Sequence, residues 1–226
     1  MAPSQMGACV RSEPGQATAN IEFHVQPLSL DKFGDPLHTY PAFTVSVCNL
    51  RPTSRGHVRL KSSDPRAAPE ILLNYLTAPE DQRIAVQSLR FARRIITETE
   101  TMKKYAPEEI VPGPQVQRDD ELVHAAGDVG TTIFHPIGTC RMGRTGDAGA
   151  VVDTRLRVRG VGRLRVIDAS IMPTITSGNT ASPTVMIAER GAAMVIEDRT
   201  RGQEHLTTDR SASASTPGAV RSSRSR

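Results

Sequence analysis

Hydrophobic and polar residues alternate in two short segments of the first 50 residues. Residues 21–26 read IEFHVQ and residues 43–48 read FTVSVC, with an apolar side chain at every second position. This period of two predicts strands with one buried face. The turn-rich stretch RPTSRG (51–56) leads to a further short strand around HVRLK (57–61). We predict that this strand pairs antiparallel with the strand before it.

Two helices are predicted after these strands. The first begins at Thr77 as the capping residue and has Pro79 in its first turn. Its apolar positions form one broad stripe on a helical surface: Ile84, Leu89, Ala92, Ile95 and Ile96. A second, shorter helix is predicted over residues 119–126, before Gly127 and Gly130 interrupt it.

The pattern changes after Val151. Leu156 and Val158 indicate a strand, and the run GRLRVIDAS predicts a buried strand that ends at Asp168. The stretch SGNTASPTVMIAERGAAMVIED then predicts a loop followed by a helix, with Pro183 near the helix start. The residues predicted for its inner face are Met186, Ala188, Ala192, Ala193 and Ile196. Strand, polar loop and helix in this order are where α/β folds bind ligands.

Composition places the chain among soluble globular proteins, since 38% of its 226 residues are hydrophobic and 23% are charged. The net charge is +4, but residues 199–226 contain six Arg against Glu204 and Asp209. The rest of the chain is therefore neutral, and no nucleic-acid partner is expected. We predict that the Ser- and Arg-rich segment 199–226 is a disordered tail, with a regulated or nucleic-acid-binding tail as the alternative.

The three cysteines, Cys9, Cys48 and Cys140, lie far apart in sequence, which favours reduced thiols and a cytoplasmic location. No signal peptide and no apolar run of membrane-spanning length occur. His124 and His135 are eleven positions apart in sequence and do not form a closely spaced pair of metal ligands. No metal site is therefore expected.

The stretch FHPIGTCRMG (134–143) is the first candidate for a catalytic segment. Pro136 restricts the backbone beside His135, and Gly138 and Gly143 permit unusual dihedral angles or close packing. A histidine held in such a loop can act as a general base near neutral pH. The alternative is a structural histidine with a satisfied hydrogen bond.

Two further polar residues are candidates: Asn179 lies just before a predicted helix, and Asp168 ends a predicted strand. Asn179 either caps the last helix or donates its amide hydrogen to an oxygen of a substrate or cofactor, close to the positive end of the helix. Asp168 is either a cap or turn residue or an acceptor for a ligand hydroxyl. The residue types alone leave these alternatives open.

Four stretches, taken together and in this order, resemble the C-terminal part of the glucose–methanol–choline (GMC) oxidoreductases, in particular the choline dehydrogenase-like members. The resemblance covers roughly residues 8–198. The stretches are NLRPTSRGHVRLKSSDPRAAPEILLNYL, HPIGTCRMG, VVDTRLRVRGVGRLRVIDASIMP and SGNTASPTVMIAERGA.

The resemblance implies a mixed fold of the α+β and α/β classes. It combines part of an antiparallel-sheet substrate domain with helices on one face (1–125), part of a Rossmann-like FAD-binding domain (126–198) and the tail (199–226). It also implies an FAD-dependent enzyme that oxidises a primary alcohol, choline or another, to an aldehyde by hydride transfer to flavin N5.

The resemblance also implies roles for individual residues. His135 takes or stabilises the alcohol proton, and Asn179 is its partner beside the flavin and the substrate oxygen. Asp168 and Ala169 contact the ribityl and phosphate side of FAD. The loop and helix start under the isoalloxazine ring correspond to Thr180, Ala181 and Pro183.

One family feature is missing: the sequence contains no G-x-G-x-x-G turn for the pyrophosphate of FAD. We therefore expect an N-terminal FAD-binding half, from the same gene or an adjacent chain, to be the partner. The 226-residue chain alone is expected to bind FAD weakly or not at all. The alternative function is a truncated, non-catalytic remnant or interaction module.

Overall fold

The computed structural model describes residues 6–32 and 34–214, with residues 201–214 as backbone alone. It opens with a three-stranded antiparallel sheet in the order β1 (Met6–Val10), β2 (Ile21–Gln26) and β3 (Thr44–Asn49). The strands β2 and β3 confirm the two predicted from alternation. The strand β1 was not predicted, because its sequence MGACV has no period of two.

Helix α1 (Pro79–Glu98) covers one face of this sheet. Ile21, Phe23 and Ile84 are buried between them, and the rings of Phe23 and Phe91 lie 5.6 Å apart. Burying one side chain of this size stabilises a fold by about 1.5–3 kcal/mol. These residues form the first core.

The prediction that Thr77 caps α1 is wrong. The capping position is Ala78, while the Thr77 hydroxyl donates to the Asn74 carbonyl oxygen at 3.0 Å. That hydroxyl is therefore engaged in the preceding turn. Pro79 occupies the first helical position as predicted.

Two shorter helices follow, α2 (Glu100–Lys103) and α3 (Asp119–Val129). Gly127 does not interrupt α3, which ends at Gly130 with a hydrogen bond from its N–H to the Ala126 carbonyl oxygen. Helix α3 therefore spans the predicted domain boundary at residue 125, and the two-domain division stays a prediction.

The predicted pairing of the third strand is also wrong. The strand β4 (His57–Arg59) pairs with β5 (Glu70–Leu72) and not with β3. The connection from β3 to β4 is held at the start of α1, where the carboxylate of Asp81 accepts the backbone N–H groups of Thr53 and Ser54. This anchor turns the chain away from β3 before β4 begins.

Residues 131–180 form few regular elements. The predicted strands at 156–158 and 164–167 are replaced by isolated bridges, among them Arg157 with Arg165, and by a 3₁₀ helix (Ala169–Ile171). Left-handed backbone angles explain the difference, since Leu156 has φ of 63° and Arg163 has φ of 61°. An extended strand cannot continue through either residue.

Helix α4 (Ala181–Ala214) packs on a second core in this region. The buried residues of this core are Val152, Leu156, Ile171, Met172, Ile187 and Met194. In the helix itself, Ile187, Gly191 and Met194 are buried, whereas Met186 and Ile196 are 59% and 66% exposed. The predicted inner face (Met186, Ala188, Ala192, Ala193 and Ile196) is therefore wrong. The helix is apolar on more than one side, so periodicity could not identify the side that packs.

Helix α4 extends through residues 199–214, which are the first part of the segment predicted to be a disordered tail. The remaining residues of that segment, 215–226, lie outside the described part of the chain.

Candidate active site

His135 lies in a loop that packs against the second core. Phe134, immediately before it, has φ of 64°, and Gly138, shortly after it, has φ of 84°. A left-handed conformation costs a residue with a side chain about 1–2 kcal/mol. Such strain persists where the surrounding contacts determine the backbone, and it is common at functional sites.

Those contacts come from the residues that follow His135. Ile137 and Met142 pack against the second core. The Cys140 N–H donates to the Ser170 carbonyl oxygen at 3.0 Å, and the Met142 N–H donates to the Ile171 carbonyl oxygen at 2.8 Å. The loop is therefore joined to the 3₁₀ helix by backbone hydrogen bonds.

The His135 imidazole lies between the side chains of two consecutive residues. Its Nδ1 is 2.8 Å from the Thr180 hydroxyl oxygen, and its Nε2 is 3.0 Å from Nδ2 of Asn179. The imidazole is half-buried, Thr180 is buried and Asn179 is exposed. The structure thus brings His135 together with two predicted site residues that lie more than 40 positions away in sequence.

Asn179 does not occupy the capping position that was its structural alternative. Helix α4 begins at Ala181, so Thr180 precedes its first residue. The Thr180 carbonyl oxygen accepts the Thr184 N–H at 3.0 Å, as the capping residue of an α-helix does. The amide of Asn179 is therefore free of a capping role and contacts His135.

The other predicted residues are placed differently. Asp168 caps the 3₁₀ helix, because its carboxylate accepts the Ser170 N–H at 2.8 Å and also the Ser170 hydroxyl. Ala169 is half-buried against the second core. No hydrogen bond joins Asp168 or Ala169 to His135 within the described residues.

The first turn of α4 supplies the remaining predicted positions. Ala181 is exposed and Pro183 is half-buried. The first N–H groups of a helix have no intrahelical acceptor and carry a partial positive charge, which attracts anions and polar oxygens. The start of α4 therefore contributes a partial positive charge to the side of the site next to His135.

A second cluster of titratable groups lies in the three-stranded sheet. Glu22, His24 and Cys48 present atoms within 4.8 Å of one another, and no hydrogen bond reaches the buried His24 Nε2. Burial, followed by the charge of Glu22, raises the pKa of the Cys48 thiol to about 11. The thiol is thus protonated at neutral pH, whereas metals bind the thiolate. The expectation of no metal site stays a prediction.

The arrangement around His135 has the groups that polarise a hydroxyl. Asn179 contributes an amide with two N–H donors, and a neutral imidazole has one nitrogen that accepts a proton. An alcohol oxygen that reaches both groups would lose its proton to the imidazole and keep a donor for its negative charge.

Comparisons with known proteins identify the family of this chain. A sequence profile of the GMC oxidoreductase family matches residues 52–188. The chain is 42% identical over 193 residues to an alcohol dehydrogenase [acceptor] of Pseudomonas putida, a match that covers 85% of this chain and 34% of that protein. It is also 42% identical over 197 residues to oxygen-dependent choline dehydrogenase 1 of Chromohalobacter salexigens, with coverage of 87% and 34%.

A solved structure extends the comparison to the fold. The formate oxidase of Aspergillus oryzae RIB40, studied for modification of its FAD, superimposes with a TM-score of 0.69 at 27% identity. That match covers 82% of this chain and 33% of the oxidase. The predicted family, mixed fold class and FAD cofactor are confirmed. The chain spans about a third of the length of the relatives it matches.

Proposed function

We propose, from the premise that this chain belongs to the GMC oxidoreductase family, that it forms the alcohol-oxidising part of an FAD-dependent dehydrogenase. The observation that carries this proposal is the contact of His135 with Asn179 and Thr180 at the start of α4. The substrate would be a primary alcohol, choline or another, and the product its aldehyde. The relatives are themselves named alcohol and choline dehydrogenases.

In this proposal the alcohol O–H replaces the Asn179 amide as the donor to Nε2 of His135, which takes the proton. The Asn179 amide donates one N–H to the alcohol oxygen as negative charge develops there. The N-terminus of α4 adds its partial positive charge on the same side. Bound FAD would supply the hydride acceptor, its N5, for the hydrogen on the alcohol carbon.

The residues at the start of α4 have chemical properties suited to contact with a flavin. Exposed Ala181 leaves the first turn open, and the N–H donors of that turn suit the polar edge of an isoalloxazine ring. Asp168 and Ala169 are proposed to face the ribityl and phosphate side, with Asp168 also serving as the cap of the 3₁₀ helix. Thr180 and Pro183 complete the proposed contacts.

A further polypeptide is proposed to complete the FAD site. The exposed apolar residues of α4 (Val185, Met186, Val195 and Ile196) would pack against that N-terminal half. An apolar face of this extent on a single helix marks a contact surface. Without that half, the chain is proposed to bind FAD weakly or not at all.

A cytoplasmic location is part of the same proposal. Cys9, Cys48 and Cys140 are free thiols, as expected for a reducing compartment. Among the described residues, none of the helices has the length and apolar character needed to cross a bilayer.

A chimaera tests the function. Residues 8–198 of this chain would replace the matched third of the Pseudomonas putida alcohol dehydrogenase. We expect the purified chimaera to contain FAD and to oxidise primary alcohols, while the 226-residue chain alone contains none. A chimaera that folds and binds FAD but oxidises no alcohol would favour the non-catalytic alternative.

A further inference from the structure

We propose that Thr180 is a positioning residue that selects the tautomer of His135 and thereby makes Nε2 the proton acceptor of the site. This inference deepens the proposed function, and its catalytic consequence rests on that function. The tautomer itself is a property of the chain and can be measured without activity.

The hydrogen-bond chemistry of Asn179 gives the first step. The group that faces Nε2 of His135 is Nδ2 of the amide, at 3.0 Å, and an amide nitrogen only donates. The neutral imidazole must therefore accept at Nε2 and carry its hydrogen on Nδ1. Neutral histidine in water prefers the opposite tautomer, with its hydrogen on Nε2.

The Thr180 hydroxyl supplies the matching acceptor. Its Oγ1 lies 2.8 Å from Nδ1 of His135, and Thr180 is 7% exposed. A hydroxyl can donate or accept, but with Asn179 donating to Nε2, the Thr180 oxygen is the acceptor that the Nδ1–H requires. The same bond remains when Nε2 takes up a proton, because Nδ1 keeps its hydrogen.

The start of α4 explains why this hydroxyl is available. Thr180 stands at the capping position, where a threonine side chain usually accepts an N–H from the second or third helical residue. The third residue is Pro183, which has no N–H. The sequence T-A-S-P thus removes one of the two usual donors to the capping hydroxyl, and the hydroxyl contacts His135.

The measurement is the ¹⁵N spectrum of the histidine rings in the 226-residue chain, at a pH at which the imidazoles are neutral. Comparison with the His135→Ala variant identifies the signals of His135. We expect the protonated type of nitrogen signal at Nδ1 and the unprotonated type at Nε2. The reverse pattern in the unmodified chain would overturn the proposal without any variant.

Variants of Thr180 test directly whether its hydroxyl determines the tautomer of His135. Thr180→Val replaces the hydroxyl with a methyl group, and the His135 signals should shift toward the Nε2–H tautomer. Thr180→Ser keeps the hydroxyl and should keep the original pattern. The matched control is Thr97→Val in α1, which removes a hydroxyl that donates to the Arg93 carbonyl oxygen. An unchanged tautomer in a folded Thr180→Val chain would contradict the proposal.

Kinetic measurements on the chimaera distinguish a failure of this inference from a failure of the proposed function. There, Thr180→Val should slow flavin reduction about tenfold and alter its dependence on pH, and Thr180→Ser should restore both. If the chain has the Nδ1–H tautomer but the unmodified chimaera oxidises no alcohol, the proposed function fails and the positioning of His135 stands. If the chimaera is active and His135 has the Nε2–H tautomer, the function stands and this inference fails.

Discussion

The two halves of the described chain are stabilised in different ways. Residues 6–129 contain a regular sheet, the long helix α1 and a core at their interface. Residues 130–200 contain isolated bridges, a 3₁₀ helix and loops that pack on α4. The candidate active site lies in the second half. Irregular backbone there permits a histidine, an asparagine and a threonine to approach from distant parts of the sequence.

The comparison predicts that the first half depends on single anchors between regular elements. Asp81 is 4% exposed, and its carboxylate accepts the Thr53 N–H at 2.8 Å and the Ser54 N–H at 2.7 Å. Asp81→Ala should lower the free energy of unfolding by about 3 kcal/mol, because buried donors lose a charged acceptor. Urea unfolding followed by circular dichroism measures this. Asp31→Ala, at an exposed carboxylate, is the matched control and should have little effect.

The same anchor makes a prediction for pH. Burial raises the pKa of Asp81, but hydrogen bonds from Ser54 and Thr53 outweigh burial and leave it below its ordinary value. This stabilisation is complete above the unfolded-state pKa, about 3.9, and is lost as pH falls through the folded-state pKa. Asp81→Asn should therefore lose less stability on acidification than the unmodified chain. An equal loss would mean that Asp81 is not responsible.

The second half should respond in function more than in stability. In the chimaera, Asn179→Ala should slow flavin reduction about 100-fold, because the developing alkoxide loses a fixed donor. Asn179→Asp has nearly the same shape but no N–H, and should be at least as slow. Stopped-flow absorbance of the flavin measures both rates. Unchanged kinetics would assign Asn179 a purely structural role.

Packing of α4 against the loops can be tested within the second half. A methyl group at Gly191 would lie 2.3 Å from Cγ2 of Ile167. Gly191→Ala should therefore force the helix away from residue 167 and lower the free energy of unfolding by about 2 kcal/mol. Gly162→Ala is the control, since no atom lies within 4 Å of its added methyl group. Equal thermal stability of the two variants would contradict this packing.

The smallest effect is expected at Asp198, which lies further along α4. Hydrogen bonds from Arg157 and Arg165 hold the pKa of Asp198 well below its ordinary value. Its contribution is present above the unfolded-state pKa and is lost as pH falls through the folded-state pKa. Asp198→Asn should lower Tm slightly at pH 7 and weaken its acid dependence. The control is Asp128→Asn, at an exposed carboxylate beside His124.

Sequence reasoning succeeded where one face of an element is clearly apolar. Alternation located β2 and β3, and Pro79 located the start of α1. It failed for the partner of β4, because the sequence of a three-residue strand does not identify the strand with which it pairs. It failed for α4 because apolar residues on several sides conceal the packed face.

At the candidate site, too, part of the result was predictable from sequence and part was not. The sequence singled out His135 and Asn179 as residue types suited to the chemistry. Their contact, and the role of Thr180 between the helix and the imidazole, depend on residues far apart in sequence. A proline at the third position of a predicted helix, after a threonine at the cap, is the local signal that could have indicated a diverted hydroxyl.

The most direct test of the central claim is the rate of flavin reduction by a primary alcohol in the chimaera with His135→Ala. The account predicts a rate about 1,000-fold lower at unchanged FAD content, because the alcohol loses its proton acceptor. His124→Ala, on the exposed face of α3, should leave the rate unchanged. A His135→Ala chimaera that reduces its flavin at the unmodified rate, or one that loses its FAD, would contradict the account.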